Sequence, residues 1–282
     1  MLAIDEIIDN APSLPPAPRI LPELLSLLRR EDIDAVRISS LITYDPVLTA
    51  QVLRRCNSAY YGFSSPVCDV QDAILRIGFG EVYRIVACVV GEQALGLAQT
   101  GYGIAQGEMW KHCAASAVAA RIIARELNGD EAVAFTAGLL HDIGKLVLST
   151  ALEGAYTEVT AKTEGEKLSF LEAEKSILGV DHAEVGGRLL TRWSFPQNLI
   201  SAVRHHHDPV QARPDEVLAS YVHLGDLLAH WLGHGYGYQA YALRCRSEAL
   251  DILEVTPREL EQFLIKTSGG VDEVLSLKPI TA

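Results

Sequence analysis

Residues 137–146 place His141 and Asp142 side by side between apolar residues. An apolar segment is expected to be buried, and a buried charge without a partner costs several kcal/mol. Any fold that the chain adopts must therefore bring compensating groups to this pair. A divalent cation is the simplest such partner, because imidazole and carboxylate are both good metal ligands. The alternative is a capped helix end at which both side chains are solvated.

Apolar residues recur at helical spacing through most of the chain. The clearest repeat, at i, i+3, i+4, i+7 and i+8, consists of Val82, Ile85, Val86, Val89 and Val90. A leucine stripe in residues 21–28 has the same period, which is typical of a helix with one buried face. No stretch of the sequence shows sustained period-2 alternation with hairpin turns. The chain is therefore predicted to be all-α.

Capping residues mark the expected helix boundaries. Helix starts are predicted at Asp45 with Pro46, at Asp130, at Ser169 with Glu172, near residues 181, 196 and 214, and at Thr256 with Glu259. The helix from Asp130 is expected to run to about Leu148, and Gly78 and Gly179 are expected to end helices. The proline-rich residues 11–18 cannot form a regular helix and are predicted to be extended.

Charge and cysteine content exclude several classes of protein. The chain has 36 acidic and 24 basic residues and a net charge of −12, which argues against nucleic acid or an anionic membrane as the main partner. Its five cysteines form no CxxC pair and are expected to be buried free thiols in a reducing compartment. The N-terminus lacks the pattern of a signal peptide, and no apolar run approaches membrane-spanning length. A soluble, cytoplasmic protein is predicted.

All nine histidines lie at or after His112, and several could join the His141–Asp142 pair. The candidate metal ligands are His112, His141, Asp142, His182, His206, His207 and Asp226. Each has an ordinary alternative: a hydrogen-bonded core histidine, a helix cap, a histidine near a helix C-terminus, or a solvated aspartate. Their order nevertheless runs across helices that could form one bundle, and di-metal sites are built in bundle cores.

This ligand set suits a divalent transition metal, Fe, Mn, Zn or Co, as one or two ions, better than Mg or Ca, which prefer oxygen ligands. Such a site lowers the pKa of bound water and holds a phosphoryl oxygen, which is the arrangement for hydrolysing phosphate esters. Lys145 lies one helical turn after His141 and would hold a phosphate as a point charge. Asp142 and Lys145 are therefore the candidate catalytic residues.

Several segments in one order resemble a known family. They include Gly-Leu-Leu-His-Asp-Ile-Gly-Lys at residues 138–145 and Cys-Asn-Ser-Ala-Tyr-Tyr-Gly at 56–62. The other matching segments are residues 14–15, 45–48, 73–78, 110–112, 181–186, 193–196 and 206–209. The His-Asp spacing resembles the HD superfamily of metal-dependent phosphohydrolases, and residues 12–210 resemble its HDOD branch (HD-related output domain). Asp226 lies beyond this matching region.

The resemblance implies an N-terminal helical bundle followed by an HD-like helical bundle. With the glycine-rich residues 101–107 as the boundary, the expected parts are residues 1–100, residues 101–240 and a C-terminal helical extension, 241–282. HDOD modules are regarded mostly as regulatory or interaction domains of bacterial signalling. The sequence departs from the related HD-GYP phosphodiesterases, whose signature continues His-His-Glu, because Asp208 and Pro209 follow His207 here.

Two functional hypotheses follow from the sequence. The leading one is a bacterial signal-transduction module that binds a signalling protein partner, and a nucleotide or phosphate ligand, and holds a metal in the HD pocket. The alternative is a metal-dependent phosphohydrolase that acts on a nucleotide or a phosphodiester. Neither hypothesis includes a nucleic acid or a membrane as partner.

Overall fold

The computed structural model describes residue 8 and residues 20–28, 35–152, 169–236 and 246–276. Within these residues every regular element is helical and no strand is present; the only β-type pairing among them is an isolated bridge between Gln99 and Ile104. The all-α prediction is confirmed. The extended segment predicted for residues 11–18 lies outside the described residues.

Five helices form the N-terminal part of the described chain. They are α1 (Ile20–Leu28), α2 (Ala35–Thr43), α3 (Pro46–Cys56), α4 (Val70–Ile77) and α5 (Phe79–Leu95). Asp45 caps α3 as predicted, since its Oδ1 accepts hydrogen bonds from the backbone N–H groups of Val47 and Leu48 at 2.9 and 3.1 Å. Gly78 ends α4 with a φ of 80°, a left-handed value that favours glycine.

The remaining helices build the part that contains the predicted ligands. They are α6 (Glu108–Glu126), α7 (Glu131–Leu140), α8 (Gly144–Leu152), α9 (Phe170–Leu178), α10 (His182–Arg192), α11 (Gln197–Arg204), α12 (Glu216–Ala229), α13 (Ser247–Leu253) and α14 (Pro257–Ser276). The capping box of Ser169 and Glu172 is present at the start of α9, and Gly179 ends that helix. α13 lies within the predicted C-terminal helical extension, although no capping signal marks its start.

Close backbone approaches place α6 between α7 and α12. A Cβ atom at Gly138 of α7 would lie 2.9 Å from the Ala117 Cα of α6, and one at Gly225 of α12 would lie 2.7 Å from the Ser116 carbonyl oxygen. The alanine-rich face of α6 is buried against both neighbours. Because the three helices approach so closely, polar side chains that face inward from them share one small volume.

One predicted helix is broken. The single helix expected from Asp130 to Leu148 is wrong: α7 ends at Leu140, residues 141–143 form a turn, and α8 begins at Gly144. The cause is tertiary packing, since a Cβ atom at Gly144 would lie only 2.0 Å from the carbonyl oxygen of His182. The start of α8 is thus pressed against the start of α10, and the turn carries His141 and Asp142 to this contact.

The apolar core continues across the predicted boundary at residues 101–107. One cluster of buried side chains extends from Leu21 in α1 to Val274 in α14, and a second lies between α6, α12, α13 and α14. The glycine-rich loop itself contributes buried side chains, Tyr102 and Ile104. The division into parts at residues 100 and 240 stays a prediction.

Two expectations from composition are met only in part. Cys56, Cys88 and Cys113 are buried free thiols, but Cys68 is exposed. Among the described residues, Glu131–Ser149 alone is long and apolar enough to cross a membrane, although no such run was expected. This stretch is 94% buried and includes the turn at residues 141–143, and core helices of folded proteins pass the same test. The cytoplasmic location stays a prediction.

Candidate metal centre

All seven candidate ligands converge on one place in the fold. His112 comes from α6, His141 and Asp142 from the turn before α8, His182 from the first residue of α10, His206 and His207 from the turn after α11, and Asp226 from α12. Six of them are buried and His207 is half-buried. Ligand atoms within 4.8 Å of one another occur in three sets: His112, His141 and Asp226; His141, Asp142 and His206; and His182, His206 and His207.

The inner half of this centre consists of His112, His141 and Asp226, together with Oδ2 of Asp142. The Nε2 atom of His112 lies 3.1 Å from Asp226 Oδ1 and 3.3 Å from His141 Nε2. Asp142 Oδ2 lies 3.5 Å from His141 Nε2 and 3.8 Å from His112 Nε2. Asp226, which the sequence placed beyond the family match, is therefore an integral member of the cluster and no solvated residue.

The outer half consists of His182, His206 and His207, together with Oδ1 of Asp142. His182 Nε2 lies 3.3 Å from Asp142 Oδ1 and 2.9 Å from His207 Nε2. The imidazoles of His206 and His207 have centroids 3.9 Å apart. Asp142 thus presents one carboxylate oxygen to each half and could contact an ion in either one.

Hydrogen bonds to the far side of two imidazoles set their tautomers. Nδ1 of His141 donates to the Gly138 carbonyl oxygen at 2.8 Å, and Nδ1 of His206 donates to the Val203 carbonyl oxygen at 2.7 Å. In each ring the proton is therefore on Nδ1, and the Nε2 lone pair faces the centre. Metal-ligating histidines are held by bonds of this kind.

Unpaired polar atoms test whether the residues fit a cation. His206 Nε2 and Asp226 Oδ1 are buried and make no hydrogen bond of normal geometry within the described part of the chain. Buried polar atoms almost always have a partner, and both of these atoms are electron-pair donors that face the centre. An electron-pair acceptor such as a divalent metal satisfies them, so the residues present fit a metal.

The pKa shifts keep most of these ligands in their metal-binding protonation states. Burial lowers the pKa of His112 from 6.5 to about 4 and that of His206 to about 3, and it holds the pKa of His207 well below 6.5. Burial opposes ionisation of Asp142, but Lys145 and the surrounding histidines hold its pKa well below 3.8. Neutral imidazoles and an ionised carboxylate bind a metal without first losing protons.

Glu174 of α9 belongs to the site, although the sequence analysis did not select it. Its side chain is fully buried and accepts hydrogen bonds from His182 Nδ1 and the His182 backbone N–H, each at 2.8 Å. Tyr102 donates to its other oxygen at 2.8 Å. Burial lowers the pKa of His182, but the Glu174 carboxylate raises it, and the net shift is upward. The available signal was a carboxylate eight residues before His182 in a helix ended by Gly179.

Tyr236 and Lys145 both contact Asp142. The Tyr236 hydroxyl donates to Asp142 Oδ2, and the Lys145 ammonium donates to the same oxygen at 2.6 Å and to the Tyr236 hydroxyl at 3.2 Å. Both side chains are buried. Lys145 lies at the centre as the sequence predicted, but here it neutralises Asp142; its phosphate-holding role stays a prediction. Tyr236 carried no sequence signal.

His230 is a further residue that the sequence did not assign to the site. Its Nε2 lies 3.4 Å from Asp226 Oδ1, and its ring packs edge-on against His112 with centroids 4.8 Å apart. Burial opposes ionisation of Asp226, but the adjacent His112 and His230 imidazoles hold its pKa well below 3.8. His230 therefore contacts the same Asp226 oxygen as His112 and helps to hold this carboxylate in place.

A pocket of about 300 Å³ opens over the outer half. His182, His207 and Asp142 lie in its wall, whereas His112 and His141 do not. Its lining also includes Ser169, Phe170, Leu171, Glu172, Asp208, Asp226 and His230, and three cationic side chains, Lys145, Lys175 and Arg246. A small anionic molecule in this pocket would contact the outer half of the centre directly.

Curated relatives share segments of sequence with this chain. A protein of uncharacterised function from Treponema pallidum is 27% identical over 222 residues, which is 74% of this chain and 40% of that protein. Ribonuclease Y from Acholeplasma laidlawii is 24% identical over 208 residues, 74% of this chain and 31% of the enzyme. Ribonuclease Y from Thermus thermophilus is 35% identical over 102 residues, 36% of this chain and 13% of the enzyme. The chain spans less than half the length of these relatives.

Solved structures share the fold over almost the whole chain. A presumed phosphohydrolase from Shewanella amazonensis has a TM-score of 0.72 at 24% identity and covers 96% of this chain and 97% of its own. A presumed signal transduction protein from Marinobacter aquaeolei has a TM-score of 0.74 at 23% identity and covers 94% of this chain and 59% of its own. An HDOD domain protein of unknown function from Geobacter sulfurreducens, with a TM-score of 0.69 at 21% identity, covers 96% of both chains.

The family model of the HDOD domain matches residues 14–209. This range contains six of the seven candidate ligands; Asp226, His230 and Tyr236 follow it. Since the match covers more than half of the sequence, the chain belongs to the HDOD domain family.

Proposed function

We propose that this chain is a metal-dependent phosphohydrolase module. The observation that carries the proposal is the convergence of five histidines and two aspartates on one buried centre, with Asp142 presenting one oxygen to each half. A scaffold that only binds proteins has no need of such a set, because each buried ligand costs desolvation energy unless a partner repays it.

A divalent ion bound by these residues supplies an activated water and polarises a phosphoryl oxygen. Nitrogen-rich ligation favours Fe, Mn, Zn or Co over Mg or Ca. The chain's own contribution is to hold the ligands in place: Glu174 orients His182, backbone carbonyl oxygens orient His141 and His206, and His230 orients Asp226.

The pocket supports a small phosphate ester as substrate. Lys175 and Arg246 line it beside His182 and His207, so a phosphate would meet both the metal ligands and cationic side chains. Ribonuclease Y, by its name, acts on RNA, but a chain with a net charge of −12 repels long polyanions. We therefore propose a nucleotide or a small phosphodiester as the substrate.

A specific observation also supports a second function, a regulatory module that acts on a signalling protein partner. Tyr236 and Lys145 both hold Asp142 Oδ2, so part of the centre already has intrachain partners, as a non-catalytic descendant of a hydrolase would. The Marinobacter protein of similar fold is described as a signal transduction protein. In this case the metal would stabilise the module and would not take part in catalysis.

One experiment separates the two functions. The full chain is purified without chelator, its metal content is measured, and turnover of an aryl phosphodiester is followed with Mn, Fe, Co or Zn added. The phosphohydrolase proposal expects bound metal and turnover that Asp142→Ala abolishes. Asp251→Ala, a change at an exposed position of α13, is the matched control and should leave both unchanged.

The contrary outcomes are distinct. Bound metal without turnover for any of the four ions would overturn the phosphohydrolase proposal in favour of the regulatory one. A chain that binds none of these ions would remove the metal centre from both functions.

A further inference from the structure

The two oxygens of Asp142 have different surroundings. Oδ2, which faces the inner half, accepts hydrogen bonds from the Tyr236 hydroxyl and from the Lys145 ammonium at 2.6 Å. Oδ1, which faces the outer half, lies 3.3 Å from His182 Nε2. The phenol and the ammonium also contact each other at 3.2 Å, so Asp142, Lys145 and Tyr236 form a closed triangle of hydrogen bonds on the inner side.

The backbone after α12 brings Tyr236 to this position. Residues His230–His234 form a π-type turn, within which Gly233 has a left-handed φ of 81°. The reversal returns Tyr236 to the centre, where it is 4% exposed. Its ring packs edge-on against His112 at 4.8 Å between centroids, and Lys145 Nζ lies 5.1 Å from the ring centroid. The phenol is thus held by packing on two sides as well as by its hydrogen bonds.

We propose that Tyr236 is an internal cap on the inner half and sets the order in which the centre is loaded. An ion that binds His112, His141 and Asp226 must take Asp142 Oδ2 from the phenol. Among the described residues no phenol faces Oδ1 to compete with an ion in the outer half, and His182 and His207 line the pocket. The outer half therefore fills first. This inference rests on the proposed metal centre.

The size of the effect follows from the type of hydrogen bond. A hydroxyl donating to an ionised carboxylate makes a charge-assisted bond, which is stronger than a neutral one. Removal of this bond should tighten binding of the second ion roughly tenfold. In Tyr236→Phe the Lys145 ammonium still donates to Asp142 Oδ2 and still competes with the ion for this oxygen. The alternative, that the Tyr236 oxygen is itself a metal ligand, predicts the opposite sign.

Cobalt titration of the full chain tests the cap. Protein stripped with chelator and then dialysed is titrated with Co²⁺ by calorimetry, and the visible absorption of Co²⁺ reports the coordination of each ion. The native chain should bind one ion tightly and a second one more weakly. Tyr236→Phe should leave the first affinity unchanged and tighten the second roughly tenfold.

Two further variants complete the test. Tyr83→Phe removes another buried phenol, whose hydroxyl bonds Thr136 Oγ1 at 2.6 Å outside the centre, and should change neither affinity. Gly233→Ala introduces no clash, since nothing lies within 4 Å of the added Cβ, but strains the left-handed turn and should also tighten the second ion. If Tyr236→Phe fails to fold, Gly233→Ala tests the same inference.

The results that overturn the inference are specific. If Tyr236→Phe weakens the second ion, the phenol is a ligand and no cap, and if the affinity is unchanged, the phenol does not compete. If the first ion loads the inner half, seen as loss of the tight site in His112→Gln, the order is reversed. If neither the native chain nor any variant binds Co²⁺, the proposed centre fails, and the cap fails with it.

Discussion

The molecule contains two buried polar clusters of opposite character. The N-terminal one, here the arginine network, pairs Arg55 of α3 with Glu92 of α5 at 2.5 Å and pairs Arg84 with Glu81 within α5. Tyr61 donates a further hydrogen bond to Glu81. The network has two cations and two anions, and each ion faces its counterion. The metal centre instead gathers five imidazoles and two carboxylates, with one lysine on Asp142.

The contrast shows what distinguishes a structural cluster from a binding site. In the arginine network, the charges balance and the partners come from neighbouring helices that pack together anyway. In the metal centre, electron pairs from His206 and Asp226 remain without a hydrogen-bond donor among the described residues. A cation binds where lone pairs at fixed positions have no hydrogen-bond donor. We therefore expect metal ions to bind at the metal centre and not at the arginine network.

The largest expected difference between the clusters is in metal affinity. Asp142→Asn keeps the side-chain shape but removes the charge shared by both halves, and we expect metal affinity to fall by more than about 100-fold, because even outer-shell changes cost 10–100-fold. Equilibrium dialysis with Zn²⁺ measures it. Glu81→Gln makes the same type of change in the arginine network and should leave metal affinity intact. If Asp142→Asn and Glu81→Gln lost metal affinity equally, the two clusters would not differ in metal binding.

Acidification should destabilise the metal-free protein through the centre and not through the arginine network, since no histidine lies before His112. Burial lowers the pKa of His112 to about 4 and that of His206 to about 3. Below pH 6.5 these two histidines are protonated in the unfolded chain but stay neutral in the folded protein. The free energy of unfolding therefore decreases as the pH falls. From pH 7.5 to 5.5 the two residues together account for about 3 kcal/mol.

His182 acts in the opposite direction, because its raised pKa adds stability below pH 6.5. The measurement is urea unfolding in chelator at the two pH values, where the midpoint should be lower at pH 5.5. His206→Gln should reduce the loss by about 1.4 kcal/mol, the share of one histidine. An unfolding midpoint that is constant or rises on acidification would contradict the assignment of neutral buried histidines.

Local signals predicted the helices well, and tertiary contacts explain the failures. Asp45 and Ser169 cap helices because a short polar side chain next to its own backbone needs no distant partner. The break before Gly144 depends on the His182 carbonyl, 38 positions away in the sequence and packed against it, so no local pattern could reveal it. The ligand types were visible in the sequence, whereas Tyr236 joins the centre only through a turn after α12.

The arginine network should matter for stability and not for metal. Glu92→Gln leaves Arg55, whose side chain is 7% exposed, without its carboxylate. Breaking a buried pair costs about 3–5 kcal/mol, but Glu92 is 26% exposed, so we expect a loss of about 2 kcal/mol in the free energy of unfolding. Urea unfolding checks this value, and metal affinity should be unchanged. A loss of metal affinity would mean that the two clusters are coupled through α5.

Glu174→Gln gives the smallest expected effect and sharpens the contrast within the centre itself. The carboxylate accepts from His182 Nδ1, the His182 backbone N–H and Tyr102, whereas an amide must turn its NH₂ group towards one of these donors. His182 then loses its fixed tautomer, and affinity in the outer half should fall about tenfold. Since the outer half is proposed to load first, the affinity of the first, tight phase of a Co²⁺ titration should fall and that of the second phase should not.

Glu259→Gln, which changes an exposed capping carboxylate of α14, is the control. A loss confined to the second phase would place His182 in the wrong half and would require the two oxygens of Asp142 to exchange roles.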